Sequence, residues 1–319
     1  MAPGKKKEIV PVKKEAPLDL KAAAPAAKAA PPAVKIERAS PAPVKSGPSG
    51  SPATFSDRAR SADDPDETHY KTGIPGLDML LGQGIPKGAS VLVEGGPGSG
   101  KTILCLNTAN NFCKRGKKVL YMSFEEPEER LIEHMHKFGW DAKGYIAKDV
   151  LRVKRFNALD VARSVEALLS EAKKELLIDV HPVFFPQDFK PDLVLIDSLT
   201  SISSAFSGED SRFRIYMEQL FRYLEKEKIS SLLIREVAKP SHTGNVNSSE
   251  ESGEAVSFLS DGIIVIYSML YPSGKRGSAI EVLKMRGVQI NKRIVEMEIT
   301  GKGVIIDPEK MVSLSCILT

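Results

Sequence analysis

The sequence has 319 residues, of which 42% are apolar and 27% charged, as is ordinary for a soluble globular protein of one large or two small domains. Its net charge of +4 is uneven, because residues 1–45 carry 10 basic and 4 acidic residues whereas the remainder carries 35 basic and 37 acidic residues. The body therefore lacks the basic excess that favours nucleic-acid binding. No stretch approaches the roughly 18 consecutive apolar residues of a transmembrane helix, so we expect no membrane span.

The first segment of the chain is rich in proline. Residues 1–52 contain 10 of the 21 prolines, with alanine, lysine and serine between them. Such a composition cannot bury enough apolar surface to offset the entropy lost on ordering. We therefore expect residues 1–66 to form a disordered, mildly basic tail. This tail is either a solubilising tether or an arm that binds an acidic partner or nucleic acid.

From residue 67 to residue 308, short apolar runs alternate with longer amphipathic segments, which predicts one domain. Strands are predicted at Ser90–Glu94, Lys118–Phe124, Val150–Arg155, Leu193–Asp197 and Ser231–Arg235. Helices are predicted at Thr102–Lys114, Pro127–Phe138, Leu159–Leu176 and Arg212–Lys228. Because such strands are buried on both faces, the alternation predicts a doubly wound α/β fold with a mostly parallel central sheet flanked by helices.

After residue 262 the pattern changes to successive strands, which indicates an antiparallel C-terminal extension of the same sheet. These strands are predicted at Gly262–Tyr267, Ala279–Met285 and Ile294–Ile299. Residues 177–192 have the character of an insertion, and residues 238–254, rich in serine, glycine and asparagine, that of a mobile loop. Residues 309–319 are expected to form a C-terminal tail.

The cysteines indicate the cellular compartment. There are three, Cys105, Cys113 and Cys316, and their spacing does not match that of metal ligands. A sparse, odd set favours a reducing, cytoplasmic location over disulfides or a zinc site.

The residues from Gly95 to Thr102 fit the phosphate-binding pattern G-x-x-x-x-G-K-[ST], between a predicted strand and a predicted helix. Glycines let the backbone N–H groups turn toward phosphates, and the helix N-terminus adds partial positive charge. Lys101 would neutralise β- and γ-phosphate oxygens, and Thr102 would bind Mg²⁺ through its hydroxyl. The sequence therefore predicts a P-loop for ATP with Mg²⁺. The residues expected to contact the nucleotide are Gly96, Pro97, Gly98, Ser99, Gly100, Lys101 and Thr102.

Carboxylates follow two of the predicted strands. Asp197 closes an apolar strand, and in this topology the strand ends beside the P-loop, so Asp197 is the expected second ligand of Mg²⁺. Glu125 and Glu126 follow another strand at the same edge. We expect Glu125 to act as the general base for water, with Glu126 tuning its pKa or binding metal-bound water. The alternative is that both glutamates only begin the helix that follows, where acids suit the helix dipole.

Five motifs follow one another along roughly residues 68–308. They are the stretch from Thr72 through Gly88 to the P-loop, Ser123–Glu126, Ile196–Thr200, Ser260–Val265 and Leu283–Gly287. Together they resemble the KaiC-like branch of the RecA superfamily, which implies a RecA-like ATPase assembled in a ring, often a hexamer, with ATP between subunits. By this resemblance, Lys284 and Arg286 would reach the γ-phosphate in the adjacent subunit and stabilise its developing charge. The alternative is an exposed pair on alternating strand positions.

The sequence departs from the family pattern in places. The resemblance implies a phosphorylated serine–threonine pair where this chain has Ser257 and Phe258, so a clock-like phosphorylation cycle is not expected, although Ser257 keeps a hydroxyl. At the end of another strand, Arg235 and Glu236 occupy the place of a polar γ-phosphate sensor. Either residue is a candidate for that role.

We consider three functions. The first is a KaiC-like ATPase that acts as a regulatory or assembly switch with itself and an unidentified regulatory protein as partners. The second is a RadA-like recombination or repair ATPase, which would need basic and aromatic residues on mobile loops. The 238–254 loop instead sets Lys239 and His242 against Glu250, Glu251 and Glu254, so nucleic acid is the less favoured partner. The third is a nucleotide-binding scaffold with little turnover, similar to the archaellum protein FlaH.

Overall fold

The structure is a computed structural model, and it describes residues 68–172, 185–206, 210–237, 256–312 and 317–318. The predicted tail over residues 1–66 and the predicted loop over residues 238–254 lie outside this part of the chain. So does the first half of the predicted insertion, together with Cys316.

The described elements alternate as predicted from residue 90 to residue 236. The strands are β1 His69–Tyr70, β2 Ile85–Pro86, β3 Ser90–Gly95, β4 Val119–Ser123, β5 Leu151–Arg155, β6 Leu193–Asp197, β7 Ser230–Glu236, β8 Gly262–Leu270, β9 Arg276–Met285, β10 Val295–Thr300, β11 Gly303–Met311 and β12 Ile317–Leu318. The helices are α1 Pro75–Leu81, α2 Lys101–Lys114, α3 Glu128–Lys137, α4 Ala142–Ala147, α5 Ala158–Ala172, α6 Leu199–Ala205 and α7 Asp210–Lys226. None of the helices in the described part of the chain is both long and apolar enough to cross a membrane.

Ten strands form one mixed sheet in the order β11-β10-β9-β8-β3-β7-β6-β4-β5, with β12 paired to β8. Every neighbouring pair from β8 to β5 is parallel. Strands β9, β10 and β11 join antiparallel, and so does β12. The predicted fold, a mostly parallel sheet with a C-terminal antiparallel extension, is confirmed.

The sheet is covered on both faces, which explains the continuous apolar strands. In β3, Val91 and Val93 pack into one core with Leu104 of α2, whereas Leu92 packs into the other core with Leu220 of α7. The three valine and leucine side chains of β3 are fully buried. Alternate side chains of a strand point to opposite faces, so a strand between two helical layers needs apolar residues at every position.

The sheet continues past residue 308, where the sequence placed the end of the domain. Strand β11 runs to Met311, and Ile317–Leu318 pairs with the end of β8. In β11, Val304 and Ile306 are buried while Ile305 is exposed, the alternation of a strand with one covered face. Pro308 fits there because β11 is the edge strand, and an edge strand can lack one N–H donor.

The carboxyl ends of the parallel strands place the predicted site residues at one edge of the sheet. By register, Gly95 at the end of β3 lies beside Glu236 at the end of β7, and Ser123 at the end of β4 lies beside Asp197 at the end of β6. The loops that leave these strands therefore meet at the same edge of the sheet.

Candidate functional site

The loop between β3 and α2 depends on two glycines. Gly98 and Gly100 have φ angles of 74° and 100°, which side chains of L-residues rarely adopt. Gly100 is also the residue that caps α2, and a Cβ there would lie 2.6 Å from the side chain of Ile299 on β10. Glycine at both positions lets the loop curl into the start of α2 without strain.

Lys101 is the first residue of α2, and only 5% of it is exposed. Its ammonium donates hydrogen bonds to the carbonyls of Gly95 at 3.0 Å and Gly96 at 2.8 Å. The same nitrogen lies 3.5 Å from a carboxylate oxygen of Glu236. A buried ammonium is thus held by the P-loop itself, with a carboxylate of β7 beside it.

Asp197 joins three elements. Its Oδ2 accepts hydrogen bonds from the hydroxyls of Thr102 at 2.9 Å and of Tyr121 at 2.7 Å. Burial raises the pKa of the Asp197 carboxyl, the two hydroxyls oppose that shift, and the nearby charges of Glu125 and Glu126 add to it. The site therefore has an excess of negative charge, which a bound cation would offset.

Glu125 is held by the loop after β6. One of its carboxylate oxygens, Oε1, accepts hydrogen bonds from the hydroxyls of Ser198 and of Ser201, the latter at 2.9 Å. Ser198 also caps α6 by accepting from the N–H of Ser201. The Glu125 carboxylate is therefore fixed in orientation through Oε1, and the residue lines the cavity described below.

Glu126 is fixed at its main chain instead. Its N–H donates to the Ser123 hydroxyl at 3.0 Å, and that hydroxyl donates back to the Glu126 carbonyl at 2.7 Å. Its carboxylate Oε2 is buried and lies 3.7 Å from Nδ1 of His134 on α3. The two adjacent glutamates thus have different neighbours, hydroxyls for Glu125 and an imidazole for Glu126.

These side chains surround one cavity of about 390 Å³. Its lining is Gly98, Gly100, Lys101, Thr102, Ile103, Glu125, Glu126, His134, Asp197, Ser198, Ile234, Glu236 and Ile299. The structure thus brings together eight of the residues predicted from sequence, including the sensor candidate Glu236. The loop residues Gly96, Pro97 and Ser99 complete the turn, with the Ser99 N–H bonded to the Gly96 carbonyl at 3.3 Å.

Five residues that line the cavity had no role predicted from the sequence, namely Ile103, His134, Ser198, Ile234 and Ile299. Ser198 follows Asp197 in a quoted motif, but only the structure shows its hydroxyl on Glu125. Ile299 lay in a predicted strand, and its approach to the P-loop depends on how the antiparallel extension packs. His134 lies one turn along a helix whose buried residues, Leu131 and Met135, define its inner face. That 3.6-residue pattern is the signal that places His134 beside the site.

Lys284 and Arg286 lie elsewhere. The Lys284 ammonium donates to the carbonyls of Ser257 at 3.1 Å and Ser260 at 2.6 Å, and Arg286 donates to the Phe258 carbonyl at 2.7 Å. Burial lowers the pKa of Lys284, and the adjacent Arg286 charge adds to this shift. Both cations are held around the short helical turn at residues 256–259, and neither lines the cavity of its own subunit.

The two sensor candidates separate. Glu236 lines the cavity beside Lys101, and its N–H donates to the hydroxyl of Thr200 at 2.9 Å. Arg235, on the opposite face of β7, pairs with Glu94 at 2.9 Å. Of the pair, only Glu236 is placed to contact a ligand of this cavity. The Ser257 hydroxyl lies 3.4 Å from the Glu94 carboxylate and not at the cavity.

Comparison with known proteins decides the family. A family model described as the KaiC ATPase matches residues 70–311, most of the chain. The chain belongs to the KaiC ATPase family. This KaiC family member is 29% identical over 256 residues to the UPF0273 protein PH0284 of Pyrococcus horikoshii, covering 78% of this chain and 97% of that protein. It is also 29% identical over 240 residues to the circadian clock protein KaiC2 of a Synechocystis strain, covering 75% of this chain but only 39% of that protein.

A solved structure supports the fold of this KaiC family member. The crystal structure of the KaiC-like protein PH0186 from Pyrococcus horikoshii matches with a TM-score of 0.57 and 23% identity, covering 75% of this chain and 99% of that one. The resemblance to a KaiC-like RecA-superfamily ATPase is therefore confirmed. The region matched by the family model ends at Met311, the last residue of β11.

Proposed function

We propose that this protein is a Mg²⁺-dependent ATPase whose nucleotide binds in the cavity at the carboxyl edge of the sheet. One observation carries the proposal. A buried lysine and a hydroxyl at the start of α2, an aspartate at the end of β6 and two glutamates after β4 all line a single cavity. Phosphates suit the helix N-terminus and its glycine-rich loop. The carbonyls of Gly95 and Gly96 that now accept from Lys101 are the groups with which phosphate oxygens would compete.

The donors at the cavity fit Mg²⁺. Thr102 and Asp197 offer a hydroxyl and a carboxylate, the oxygen ligands that Mg²⁺ prefers, and their oxygens already lie 2.9 Å apart. Burial raises the pKa of Asp197, and the charges of Glu125 and Glu126 add to the shift, so a bound divalent cation would offset the cost of the ionised carboxylate. A bound Mg²⁺ would supply charge neutralisation at the phosphates. Thr102 and Asp197 are the residues that would hold it.

Glu125 is the proposed general base for the attacking water. Its Oε1 accepts from Ser198 and Ser201, so the side chain cannot rotate freely and Oε2 remains to accept a proton. Holding the base in one orientation before the reaction lowers the entropy lost in the transition state. Glu236 lies beside Lys101 and is the proposed sensor, because phosphate would displace the lysine that it contacts.

We further propose that the protein assembles as a ring, with Lys284 and Arg286 serving the ATP of the adjacent subunit. Their position away from their own cavity supports this arrangement. ATP would then couple neighbouring subunits and act as a regulatory or assembly switch toward a further protein partner. The sparse cysteines agree with a cytoplasmic site of action.

The alternatives receive less support. The family match favours a KaiC-like ATPase over a recombinase, and the loop that a DNA-binding function would use lies outside the described residues. A scaffold with little turnover would keep Lys101 and Thr102 but would not need an oriented Glu125. The two serine hydroxyls on that carboxylate therefore favour turnover.

The test measures ATP binding and ATP hydrolysis separately, with Mg²⁺ and with a chelator. We expect Lys101→Ala to lose binding, whereas Glu125→Gln should bind ATP and lose about a hundredfold or more in turnover, the usual worth of a general base. Lys137→Ala, on the exposed end of α3, is the control. Full turnover in Glu125→Gln would contradict the role of Glu125. A wild-type protein that binds ATP but does not hydrolyse it would favour the scaffold.

A further inference from the structure

His134 and Glu126 each have a buried polar atom that forms no hydrogen bond with any described residue. Nδ1 of His134 and Oε2 of Glu126 are both buried, and neither has a hydrogen-bond partner in the described part of the chain. The two atoms lie 3.7 Å apart, just beyond hydrogen-bond distance. Buried polar atoms are nearly always satisfied in native proteins, so this pair calls for an explanation.

The geometry favours one position for the imidazole proton. An unprotonated ring nitrogen would direct its lone pair at a carboxylate oxygen, which is repulsive, whereas an N–H at Nδ1 is attracted to it. An N–H at Nδ1 is therefore the arrangement that suits this contact. Both side chains remain partly exposed, 27% for His134 and 31% for Glu126, so a small rotation closes the gap. Catalytic hydrogen bonds commonly tighten in this way when a substrate binds.

The rest of the cavity shows why Glu126 needs such a partner. Glu125 is oriented by two hydroxyls, but Glu126 is fixed only through its main chain, by the hydroxyl of Ser123. Its carboxylate can still rotate about the side-chain bonds. His134 is the only uncommitted donor among the cavity-lining side chains of the described residues, since the lysine and the hydroxyls there already have acceptors.

We propose that His134 is a positioning residue for hydrolysis, which holds the Glu126 carboxylate through Nδ1–H so that its other oxygen orients water beside Glu125. This inference rests on the proposed ATPase function. The helix makes the contact possible, because buried Leu131 and Met135 fix the rotation of α3 and place His134 at the cavity. His134 acts through Glu126 and does not itself contact the phosphates.

The experiment compares replacements that differ only in where a donor stands. Asparagine carries its N–H₂ on the atom that corresponds to Nδ1, whereas glutamine carries it one carbon further out. We expect His134→Phe and His134→Gln to lower kcat for ATP about ten- to a hundredfold with KM changed less than about threefold, the result of a misplaced group that acts in the transition state. His134→Asn should restore kcat to within about threefold of wild type.

His136 supplies the matched control, since it lies two residues along the same helix with an exposed side chain. We expect His136→Phe to leave kcat unchanged. Equal kcat for His134→Asn and His134→Gln would overturn the inference, because a side chain that only fills space does not distinguish the two donors. Wild-type kcat in His134→Phe would overturn it as well while leaving the ATPase function intact. A wild-type protein that binds ATP without hydrolysing it would overturn both.

Discussion

Arg286 cannot serve the phosphate site of its own subunit, and the strand register gives the distance. Met285, its neighbour in the chain, pairs with Gly262 of β8, and Gly262 is level with Val91 of β3. Gly95, where the P-loop begins, lies four residues further along β3. That separation is about 13 Å along the strands and about 10 Å across two strand spacings. The Arg286 side chain is also held at the carbonyl of Phe258.

Two inactive variants should therefore restore activity to each other. In Lys101→Ala the P-loop fails, and in Arg286→Ala the cation that we assign to the neighbouring site is lost, at a cost on the order of 10³-fold in kcat. A site becomes complete only where an Arg286→Ala subunit supplies the P-loop and a Lys101→Ala subunit supplies the arginine. In a head-to-tail ring assembled at random from equal amounts, about one quarter of the sites meet this condition, whatever the number of subunits.

The assay is steady-state ATP hydrolysis by the two variants co-expressed with different tags, compared with each variant alone. We expect close to a quarter of the wild-type rate from the mixed protein and almost none from either parent. Arg276→Ala, at the other, exposed end of β9, serves as the control and should by itself hydrolyse ATP at close to the wild-type rate. The assignment of Arg286 to the neighbouring subunit would be refuted if the mixed protein, with both tags present in one assembly, hydrolysed ATP no faster than either variant alone.

Three further predictions concern stability and reactivity. Burial raises the pKa of Asp197, so its ionised form destabilises the fold at neutral pH and that cost is relieved as the pH falls through the folded-state pKa. Asp197→Asn should therefore abolish hydrolysis yet raise the melting temperature at pH 7, with the gain shrinking toward acid pH. A Cβ at Gly76 would overlap a carbonyl of β11, so Gly76→Ala should lower the free energy of unfolding in urea by about 1–3 kcal/mol, whereas Gly301→Ala, in open space, should change it little. Burial raises the pKa of the Cys113 thiol to about 12 and that of the Cys105 thiol well above its usual value. With the third cysteine, Cys316, replaced by serine, neither should therefore react with a thiol reagent at pH 8 until the protein unfolds.

The parts of the site that could be predicted are those set by strand polarity. A P-loop after β3 and an acid closing an apolar strand need only the rule that parallel strands end at one edge, and Lys101 and Asp197 follow from it. The antiparallel extension was predictable for the same reason, since its strands follow one another without helices between them. These features could be predicted from short segments of sequence because strand order and strand direction determine where they lie.

The remaining features depend on packing between distant segments. Tyr121 reads from sequence as one more apolar strand residue, and only the fold places its hydroxyl on Asp197, 76 residues later. The short helices α1 and α6 are one to two turns long, below the length at which an apolar repeat becomes distinct. Strand β11 contains Pro308, which argues against a strand until its place at the sheet edge is known.

The charges at the cavity connect nucleotide binding with assembly. One subunit contributes four carboxylates, Glu125, Glu126, Asp197 and Glu236, against the single ammonium of Lys101. Such a site repels an anion unless cations are added, and the two sources proposed are Mg²⁺ and the Lys284–Arg286 pair of a neighbour. If the neighbour's cations raise the affinity for ATP, then ATP must strengthen the subunit contact by the same factor, because the two equilibria are linked. If the proposed ring forms, this charge imbalance would let ATP binding report assembly without any conformational change.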